Sequence, residues 1–186
     1  MRVITGTARG RRLKTLEGLE VRPTADRVKE GVFSMIQFEI ENAAFLDLFA
    51  GSGQMGIEAL SRGARLAVFI DHRREAQEVI RENLRTTGLT KNSRVAAMEY
   101  DLFLANTKDT FDIAFLDPPY HQDLLPRALD LVVPKMSASG IIICEHERNE
   151  ELPASVGEYA VYRTYRYGKI MITVYRQQKN DMEEAL

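Results

Sequence analysis

The chain has 186 residues, is 45% hydrophobic and carries a net charge of −2, so it can bury a substantial core as one globular domain. Its single cysteine, Cys144, cannot form an internal disulfide. No secretory signal opens the sequence, and no apolar run approaches the ~20 residues that cross a bilayer. These features exclude disulfide-stapled secreted and membrane-spanning classes and predict a soluble cytoplasmic protein.

Charge is distributed unevenly along the chain. Residues 1–29 contain eight Lys and Arg against three Asp and Glu, a net charge of +5, so the remainder carries −7. A basic segment on an acidic body can bind phosphates whatever the total charge. The same composition also fits a solvated, partly disordered terminus. We predict a single domain over residues 1–186, with residues 1–23 as a basic N-terminal arm.

Apolar runs of strand length alternate with helix-periodic stretches through most of the chain. The arm is followed by a helix with Thr24 as its N-cap and an apolar stripe. The predicted strands are 44–49, 66–70, 95–98, 112–116 and 140–144, and the predicted helices are a short one ending near 62–63 and two at 73–87 and 124–133. Gly88 is placed to end the helix 73–87 in a left-handed cap. This alternation predicts a parallel sheet with helices on both faces.

The C-terminal part breaks the alternation. Residues 159–167 and 169–176 are two Tyr- and Val-rich stretches separated only by Gly168. They predict an antiparallel hairpin added at one edge of the sheet.

Three glycines follow the first strand at the spacing G-x-G-x-x-G, namely Gly51, Gly53 and Gly56. Such a loop lets the backbone approach a ligand at the carboxyl end of the sheet. Asp71 follows the second strand, where a carboxylate can accept hydrogen bonds from ribose hydroxyls. Both NAD and S-adenosylmethionine fit this arrangement.

Three features favour S-adenosylmethionine. The chain leaves little length for a separate substrate domain. Asp47, inside the first strand, is placed to reach the amino acid end of that cofactor, although it also suits a partner for loop amides. Asp101, after the third strand, is placed to contact the adenine amine, although it also suits a helix N-cap.

The tetrapeptide Asp117-Pro118-Pro119-Tyr120 directly follows the fourth strand. Two prolines cannot donate to a sheet ladder, so the chain must leave the sheet here with outward-facing carbonyls, a carboxylate and an aromatic ring. The carboxylate and a carbonyl can accept both protons of an exocyclic amine while Tyr120 stacks on the ring. An isolated Pro-Pro is more often an ordinary turn. In a doubly wound sheet, however, strands one and four become neighbours, so this motif shares a crevice with the glycine loop.

The combination resembles the amino-methyltransferases among the class I S-adenosylmethionine-dependent enzymes, whose acceptor motif is Asp/Asn-Pro-Pro-Tyr/Phe. The whole chain is similar to the bacterial RsmD family, the 16S ribosomal RNA guanine-N2 methyltransferases acting at guanine 966. The resemblance is carried by residues 2–6, 9–11 and 22–28, and most strongly by residues 46–53, 56–64 and 111–120. Relatives often have Glu where this chain has Asp71.

The resemblance implies a Rossmann-like α/β fold with a seven-stranded, mostly parallel sheet whose last strand is antiparallel. It implies methyl transfer from S-adenosylmethionine to 16S ribosomal RNA, free or in the small ribosomal subunit. His72 and His146 have no metal-ligand spacing, so we expect no metal. The candidate acceptor-site residues are Asp117, Pro118, Pro119 and Tyr120. The candidate cofactor-binding residues are Asp47, Phe49, Ala50, Gly51, Ser52, Gly53, Gly56, Asp71, His72, Asp101 and Leu102. The candidate RNA-binding residues are Arg9, Arg11, Arg12, Lys14 and Arg22, with the C-terminal hairpin as a second RNA-binding candidate.

Three alternatives remain open from the residues alone. A DNA adenine-N6 methyltransferase shares the acceptor motif but normally needs a target-recognition region. A non-catalytic RNA-binding scaffold has no use for an amine pocket. An NAD-dependent oxidoreductase shares the glycine loop.

Overall fold

The computed structural model describes residues 1–16, 23–120 and 123–178. The helices are α1 (Pro23–Met35), α2 (Gln54–Ser61), α3 (Arg74–Thr87), α4 (Tyr100–Asn106) and α5 (Leu124–Val132). The strands are β1 (Ala44–Asp47), β2 (Leu66–Ile70), β3 (Ser93–Ala96), β4 (Phe111–Leu116), β5 (Met136–Glu147), β6 (Ser155–Val156), β7 (Tyr159–Tyr167) and β8 (Ile170–Gln177). They form one sheet in the order β3-β2-β1-β4-β5-β8-β7-β6.

The five parallel strands β1 to β5 are covered on both faces. Because side chains alternate along a strand, Phe45 and Phe69 pack in one core with residues of α1, α2 and α3. Their neighbours Leu46 and Val68 pack in a second core with residues of α4 and α5. Continuous apolar runs are the expected sequence of strands buried in this way.

Some boundaries differ from the sequence prediction. Strand β3 lies two residues before the predicted 95–98, because this half-exposed edge strand lacks the apolar run that marks a buried one. Helix α1 begins at Pro23, so Thr24 lies inside the first turn and is not the N-cap. Proline suits the first helical position because it has no backbone N–H that would need a capping partner. Gly88 ends α3 with φ +75°, as predicted.

The C-terminal hairpin is present and adds antiparallel strands beside β5. Strand β8 pairs with β5 from Ile141↔Arg176 to Glu147↔Ile170, and β7 pairs with β8 on the other side. The sheet has eight strands where seven were predicted. The additional strand β6 pairs only through Ser155↔Ala160 and Val156↔Tyr159, and two residues are too few to give a periodic signal in the sequence.

Residues 1–16 fold back on themselves and pack against the body. Backbone hydrogen bonds join Val3 N to Arg11 O (2.9 Å) and Leu13 N to Met1 O (3.0 Å). Val3 and Leu13 are buried in the core beside α1 and α2. The fully buried Glu58 carboxylate of α2 accepts hydrogen bonds from the backbone N–H groups of Ile4 and Thr5. These contacts fix the segment on the sheet domain.

The tightest contact of this segment lies at Gly6. Gly6 has φ +88°, and a Cβ atom there would lie 1.7 Å from the carbonyl oxygen of Ser61. The neighbouring Thr7 N–H donates to the same oxygen at 2.8 Å. Only glycine satisfies both the backbone conformation and the close approach.

Replacing Gly6 by alanine is expected to destabilise the protein by roughly 2–5 kcal/mol, because left-handed strain and overpacking add. Gly10 is a matched control, since it has φ +81° and a Cβ atom there meets nothing within 4 Å. Gly10→Ala should therefore cost only the backbone strain of about 1–2 kcal/mol. Denaturant unfolding measures both, and equal losses would contradict the docked position of this segment.

Candidate active site

The glycine loop and the acceptor tetrapeptide open side by side at the carboxyl edge of the sheet. Strands β1 and β4 are parallel neighbours with Asp47 opposite Phe115, and Leu48 N donates to Phe115 O at 3.0 Å just beyond β1. The residues that follow these strands are therefore held at the same edge. The sequence prediction that strands one and four are adjacent is confirmed.

The glycines of the loop serve two different purposes. Gly51 and Gly53 have φ +55° and +76°, so the backbone turns sharply before α2. A Cβ atom on Gly51 would meet nothing within 4 Å, which leaves open space above the loop. A Cβ atom on Gly56 would lie 2.3 Å from the Phe69 ring, so this glycine allows α2 to pack on β2. Ala50 and Ser52 lie within the same turn and are buried.

Asp47 lies at the end of β1 and is 2% exposed. Its Oδ2 accepts a hydrogen bond from Gly56 N at 3.0 Å, so the carboxylate holds the first turn of α2. Burial raises the pKa of Asp47 to about 7, with the Gly56 hydrogen bond lowering it and the charge of Asp71 raising it. Asp47 therefore has the structural role that its position also suggested, that of a hydrogen-bond partner for a backbone amide.

Asp71 follows β2 and turns its carboxylate towards the glycine loop. Its Oδ2 accepts from Gly51 N at 3.0 Å. The guanidinium of Arg73 donates to both carboxylate oxygens, at 3.0 and 2.9 Å. The charge of the buried carboxylate is therefore balanced by a half-exposed arginine at the rim of the crevice.

The remaining cofactor-binding candidates lie in the segments that follow β1, β2 and β3. Asp101 lies in the first turn of α4, where it accepts from Leu102 N at 2.8 Å and from the Arg127 guanidinium at 2.8 Å. Leu102 is 54% exposed, an unusual position for a large apolar side chain. His72 is exposed, with Nδ1 3.6 Å from Glu99. Phe49 packs on Tyr100, with 5.0 Å between ring centroids.

The N-terminal segment contacts the glycine loop through Asn83 of α3. The buried Asn83 amide donates to the Ser52 carbonyl and to the Lys14 carbonyl, both at 2.9 Å, and its oxygen accepts from Lys14 N at 2.7 Å. One side chain thus joins the basic segment to the loop, a link that no sequence pattern indicated.

Of the RNA-binding candidates, Arg9, Arg11, Arg12 and Lys14 are exposed on the docked segment. Arg22 lies outside the described residues. On the second candidate surface, the β7–β8 hairpin, Arg163 and Arg176 both approach the ring of the 60% exposed Tyr162, at 5.7 and 5.2 Å from its centroid.

At the acceptor side, β4 ends at Leu116 and the tetrapeptide leaves the sheet as predicted. Asp117 is partly buried, and burial, followed by the charges of Glu145 and Asp47, raises its pKa. Tyr120 donates from its hydroxyl to Glu145 Oε1 at 3.4 Å. Pro118 is buried and Pro119 exposed. A carboxylate and an aromatic ring therefore face the same small region.

Comparison with known proteins agrees with this geometry. The family model described as "Conserved hypothetical protein 95" matches residues 1–176. A Bacillus subtilis protein named as a putative rRNA methyltransferase, YlbH, is 40% identical over 96% of this chain and 100% of its own length. The Escherichia coli ribosomal RNA small subunit methyltransferase D is 32% identical over 100% of this chain and 94% of its own.

The chain belongs to the RsmD family. A solved structure described as the putative methyltransferase yhhF from Escherichia coli superposes with a TM-score of 0.86 at 34% identity, covering 96% of this chain and 98% of that one. The fold is the class I methyltransferase fold that the sequence predicted, with a mostly parallel sheet and the antiparallel C-terminal hairpin.

Glu145 is the residue of this RsmD-family site that the sequence reasoning missed. It ends the buried run of β5, and burial raises its pKa to about 7 while the Tyr120 hydrogen bond lowers it. A signal was present, because Asp47, Asp71 and Asp117 are likewise the first carboxylates after apolar runs. The fourth instance of that pattern was passed over.

An open cavity of about 480 Å³ lies beyond β5 and the β7–β8 turn, lined by Glu147, Arg148, Asn149, Arg166, Gly168 and Lys169. Within residues 1–16, 23–120 and 123–178, no group of three or more His, Cys, Asp or Glu side chains is arranged to hold a metal ion. In the same part of the chain, no helix is both long and apolar enough to span a membrane.

The raised pKa of Glu145 predicts a pH-dependent stability. The folded protein keeps this proton up to about pH 7, whereas the unfolded chain releases it near 4.5. The contribution of Glu145 to the free energy of unfolding is therefore fully present below the unfolded pKa and is lost as pH rises through 7. Glu145→Gln removes the titration, so the variant should gain stability relative to the parent by roughly 2 kcal/mol between pH 5.5 and 8.5.

Thermal or denaturant unfolding at several pH values measures this difference. The parent protein provides the background from the groups that do not interact with Glu145. Asp117 does interact with it, because the charge of Glu145 raises the pKa of Asp117, so the difference reports the titration of this pair. A stability difference that stays constant from pH 5.5 to 8.5 would show that Glu145 does not titrate in this range.

Proposed function

We propose that this protein transfers a methyl group from S-adenosylmethionine to the exocyclic N2 amine of guanine 966 in 16S ribosomal RNA, in the cytoplasm. The observation that carries the proposal is the parallel pairing of β1 with β4, which brings the glycine loop beside Asp117-Pro118-Pro119-Tyr120. The rRNA methyltransferase names of the full-length relatives support the RNA substrate. The particular guanine rests on the family resemblance.

The residues at the donor side fit S-adenosylmethionine. The open space above Gly51 admits a ligand close to the backbone. The buried Asp71 carboxylate at the rim accepts hydrogen bonds from ribose hydroxyls in exchange for those from the half-exposed Arg73 guanidinium. We assign Asp101 as the acceptor for the adenine amine and the exposed Leu102 as the apolar surface for the face of the adenine ring. When bound, the cofactor supplies an electrophilic methyl group on a sulfonium.

Asp117 and the carbonyl of Pro118 accept the two N2 protons of the target base. The lone pair of a guanine amine is delocalised into the ring, so the amine is a poor nucleophile until it pyramidalises. Two acceptors placed for the tilted geometry favour that shape and direct the lone pair out of the ring plane, which is complementarity to the transition state. Methylation makes the amine strongly acidic, so its proton leaves to Asp117 or to water afterwards.

Positioning accounts for much of the rate enhancement. Holding donor and acceptor in one crevice is worth ~7–11 kcal/mol of the barrier in favourable cases. Tyr120 stacks on the extruded base, a contact worth roughly 1–3 kcal/mol. The hydroxyl contact with Glu145 fixes the tyrosine ring for this purpose.

The docked N-terminal segment is the proposed RNA contact. Its exposed Arg9, Arg11, Arg12 and Lys14 lie on a segment that Asn83 connects to the glycine loop. A rigid basic surface beside the crevice binds phosphates without the entropy cost of ordering a free arm. The Tyr- and Arg-rich β7–β8 hairpin is the second proposed RNA contact.

Transfer of labelled methyl to RNA, followed by nucleoside digestion and mass spectrometry, tests the proposal. The small-subunit ribosomal RNA substrate is offered both as free RNA and in ribosomal particles. The expected product is N2-methylguanosine. Label on adenine would replace the guanine assignment by an adenine-N6 activity. Tight NAD binding without any response to S-adenosylhomocysteine in calorimetry would instead favour an oxidoreductase.

Asp117→Ala is expected to lower transfer by roughly 10²-fold or more, since it removes a preorganised acceptor, while S-adenosylhomocysteine binding persists. Asp130→Ala is the matched control, because Asp130 is an exposed aspartate on α5. Full activity in the Asp117 variant would remove this residue from the chemistry. Loss of cofactor binding in the variant would assign it to the donor side.

The double variant Arg11→Ala with Arg12→Ala is expected to weaken RNA binding and to reduce the slope of log K against log salt by ~1–2, as fewer counterions are released. Arg65→Ala with Lys108→Ala removes the same charge at the amino ends of β2 and β4, on the opposite edge of the sheet, and serves as control. An unchanged slope in the first variant would exclude the N-terminal segment from the RNA interface.

A further inference from the structure

Glu145 lies beside Asp117 by the register of the sheet. Strands β4 and β5 are parallel, and the last aligned pair is Leu116↔Cys144. Asp117 and Glu145 are the residues that directly follow this aligned pair, so the two carboxyls lie at neighbouring positions of the crevice. Their proximity is also seen in the charge of Glu145, which raises the pKa of Asp117.

Tyr120 ties Glu145 to the base-binding side of the tetrapeptide. Its hydroxyl contacts Glu145 Oε1 at 3.4 Å, which leaves the second oxygen, Oε2, with no hydrogen bond to the residues that the structure describes. No donor in those same residues forms a hydrogen bond with the Asp117 carboxylate. Two acceptor groups thus face the region where a stacked base would lie.

The Watson–Crick edge of guanine presents adjacent donors, the N1–H and the two N2 protons. Adenine presents amine protons next to the N1 lone pair, which accepts. An ionised carboxylate has no proton to donate, so it can only accept hydrogen bonds. An ionised carboxylate beside the amine-binding group therefore attracts N1–H of guanine and repels the N1 lone pair of adenine, because a mismatched polar group is left unpaired at the site.

We propose that Glu145 is the residue that selects guanine, accepting the N1–H while Asp117 and the Pro118 carbonyl hold the N2 amine. This inference rests on the proposed function and adds a residue and a chemical reason for its base specificity. Tyr120 orients the Glu145 carboxylate and stacks on the same base. Glu145 contacts the base and takes no part in the transfer itself.

The electrostatics of the crevice agree with this assignment. Burial raises the pKa of both Asp117 and Glu145, and the charge of Glu145 raises the pKa of Asp117 further. Two neighbouring buried carboxylates disfavour double ionisation unless donors are supplied. The guanine edge supplies such donors to both groups at once, so its binding stabilises the ionised pair.

The test compares guanine with 2-aminopurine at the methylated position of small-subunit ribosomal RNA, prepared by ligation. 2-Aminopurine keeps the N2 amine but has a lone pair at N1. At pH 8.5, above the pKa of Glu145, the parent protein should methylate the guanine RNA with a kcat/KM about 5- to 150-fold higher, the range of one good base-edge contact. Equal kcat/KM values for the two RNAs in the parent protein would overturn the inference, whatever the variants show.

Glu145→Gln isolates the contact. The amide oxygen accepts N1–H of guanine and, after rotation, the amide nitrogen donates to N1 of 2-aminopurine, so the preference for guanine should fall at least about fivefold. The missing O6 of 2-aminopurine affects both proteins equally and cancels in the ratio. Glu151→Gln, at an exposed position beyond β5, should keep the parent preference.

The outcomes separate the two levels of the proposal. An unchanged guanine preference in Glu145→Gln, with S-adenosylhomocysteine binding intact, would overturn the role of Glu145 and leave the methyltransferase proposal standing. No methyl transfer to any RNA by the parent protein would overturn the proposed function itself. A reduced preference only in Glu145→Gln supports both.

Discussion

The parallel pairing of β1 with β4 is the contact on which the rest of the site depends. It places Asp47 opposite Phe115, so the chain leaves both strands at one edge of the sheet. The glycine loop follows one strand and the proline-rich tetrapeptide follows the other, although 60 residues separate them in sequence. If β4 paired elsewhere, neither loop would lose its local conformation, but a donor and an acceptor would no longer meet.

Carboxyls at the ends of buried strands give this edge its chemistry. Asp47, Asp71, Asp117 and Glu145 each follow an apolar run, and burial raises the pKa of three of them. Arg73 and the Gly51 amide balance the charge of Asp71. Groups whose charge is balanced within the protein suit neutral hydroxyls, whereas the unbalanced pair Asp117 and Glu145 suits a ligand that brings its own donors.

The N-terminal segment adds a second kind of coupling. Glu58 and Ser61 of α2 hold its backbone, and Asn83 of α3 holds Lys14 together with the glycine loop. A displacement of the basic surface therefore acts directly on the loop that forms the donor side. In this way the fold connects a phosphate-binding surface with the crevice through hydrogen bonds to backbone groups.

Sequence patterns predicted the parts of the fold that follow from local physics. Buried strands such as 66–70 appear as apolar runs, and Gly88 marks its helix end because few other residues adopt φ +75°. The half-exposed β3 was misplaced, and neither the two-residue β6 nor the docking of residues 1–16 was predicted. Each of these features depends on partners that are distant in sequence. Of the site, the glycine loop and tetrapeptide were predictable, whereas Glu145 and Asn83 acquire their positions only from strand register and helix packing.

The most direct measurement of the central claim is an experimental structure of the protein with S-adenosylhomocysteine and a guanine-containing RNA substrate. We predict the homocysteine compound on the glycine loop, with its sulfur facing the N2 amine of a flipped guanine held by Asp117 and Tyr120. A structure with the cofactor product and the base at separate edges of the sheet, or with the base bound away from Asp117, would contradict the account.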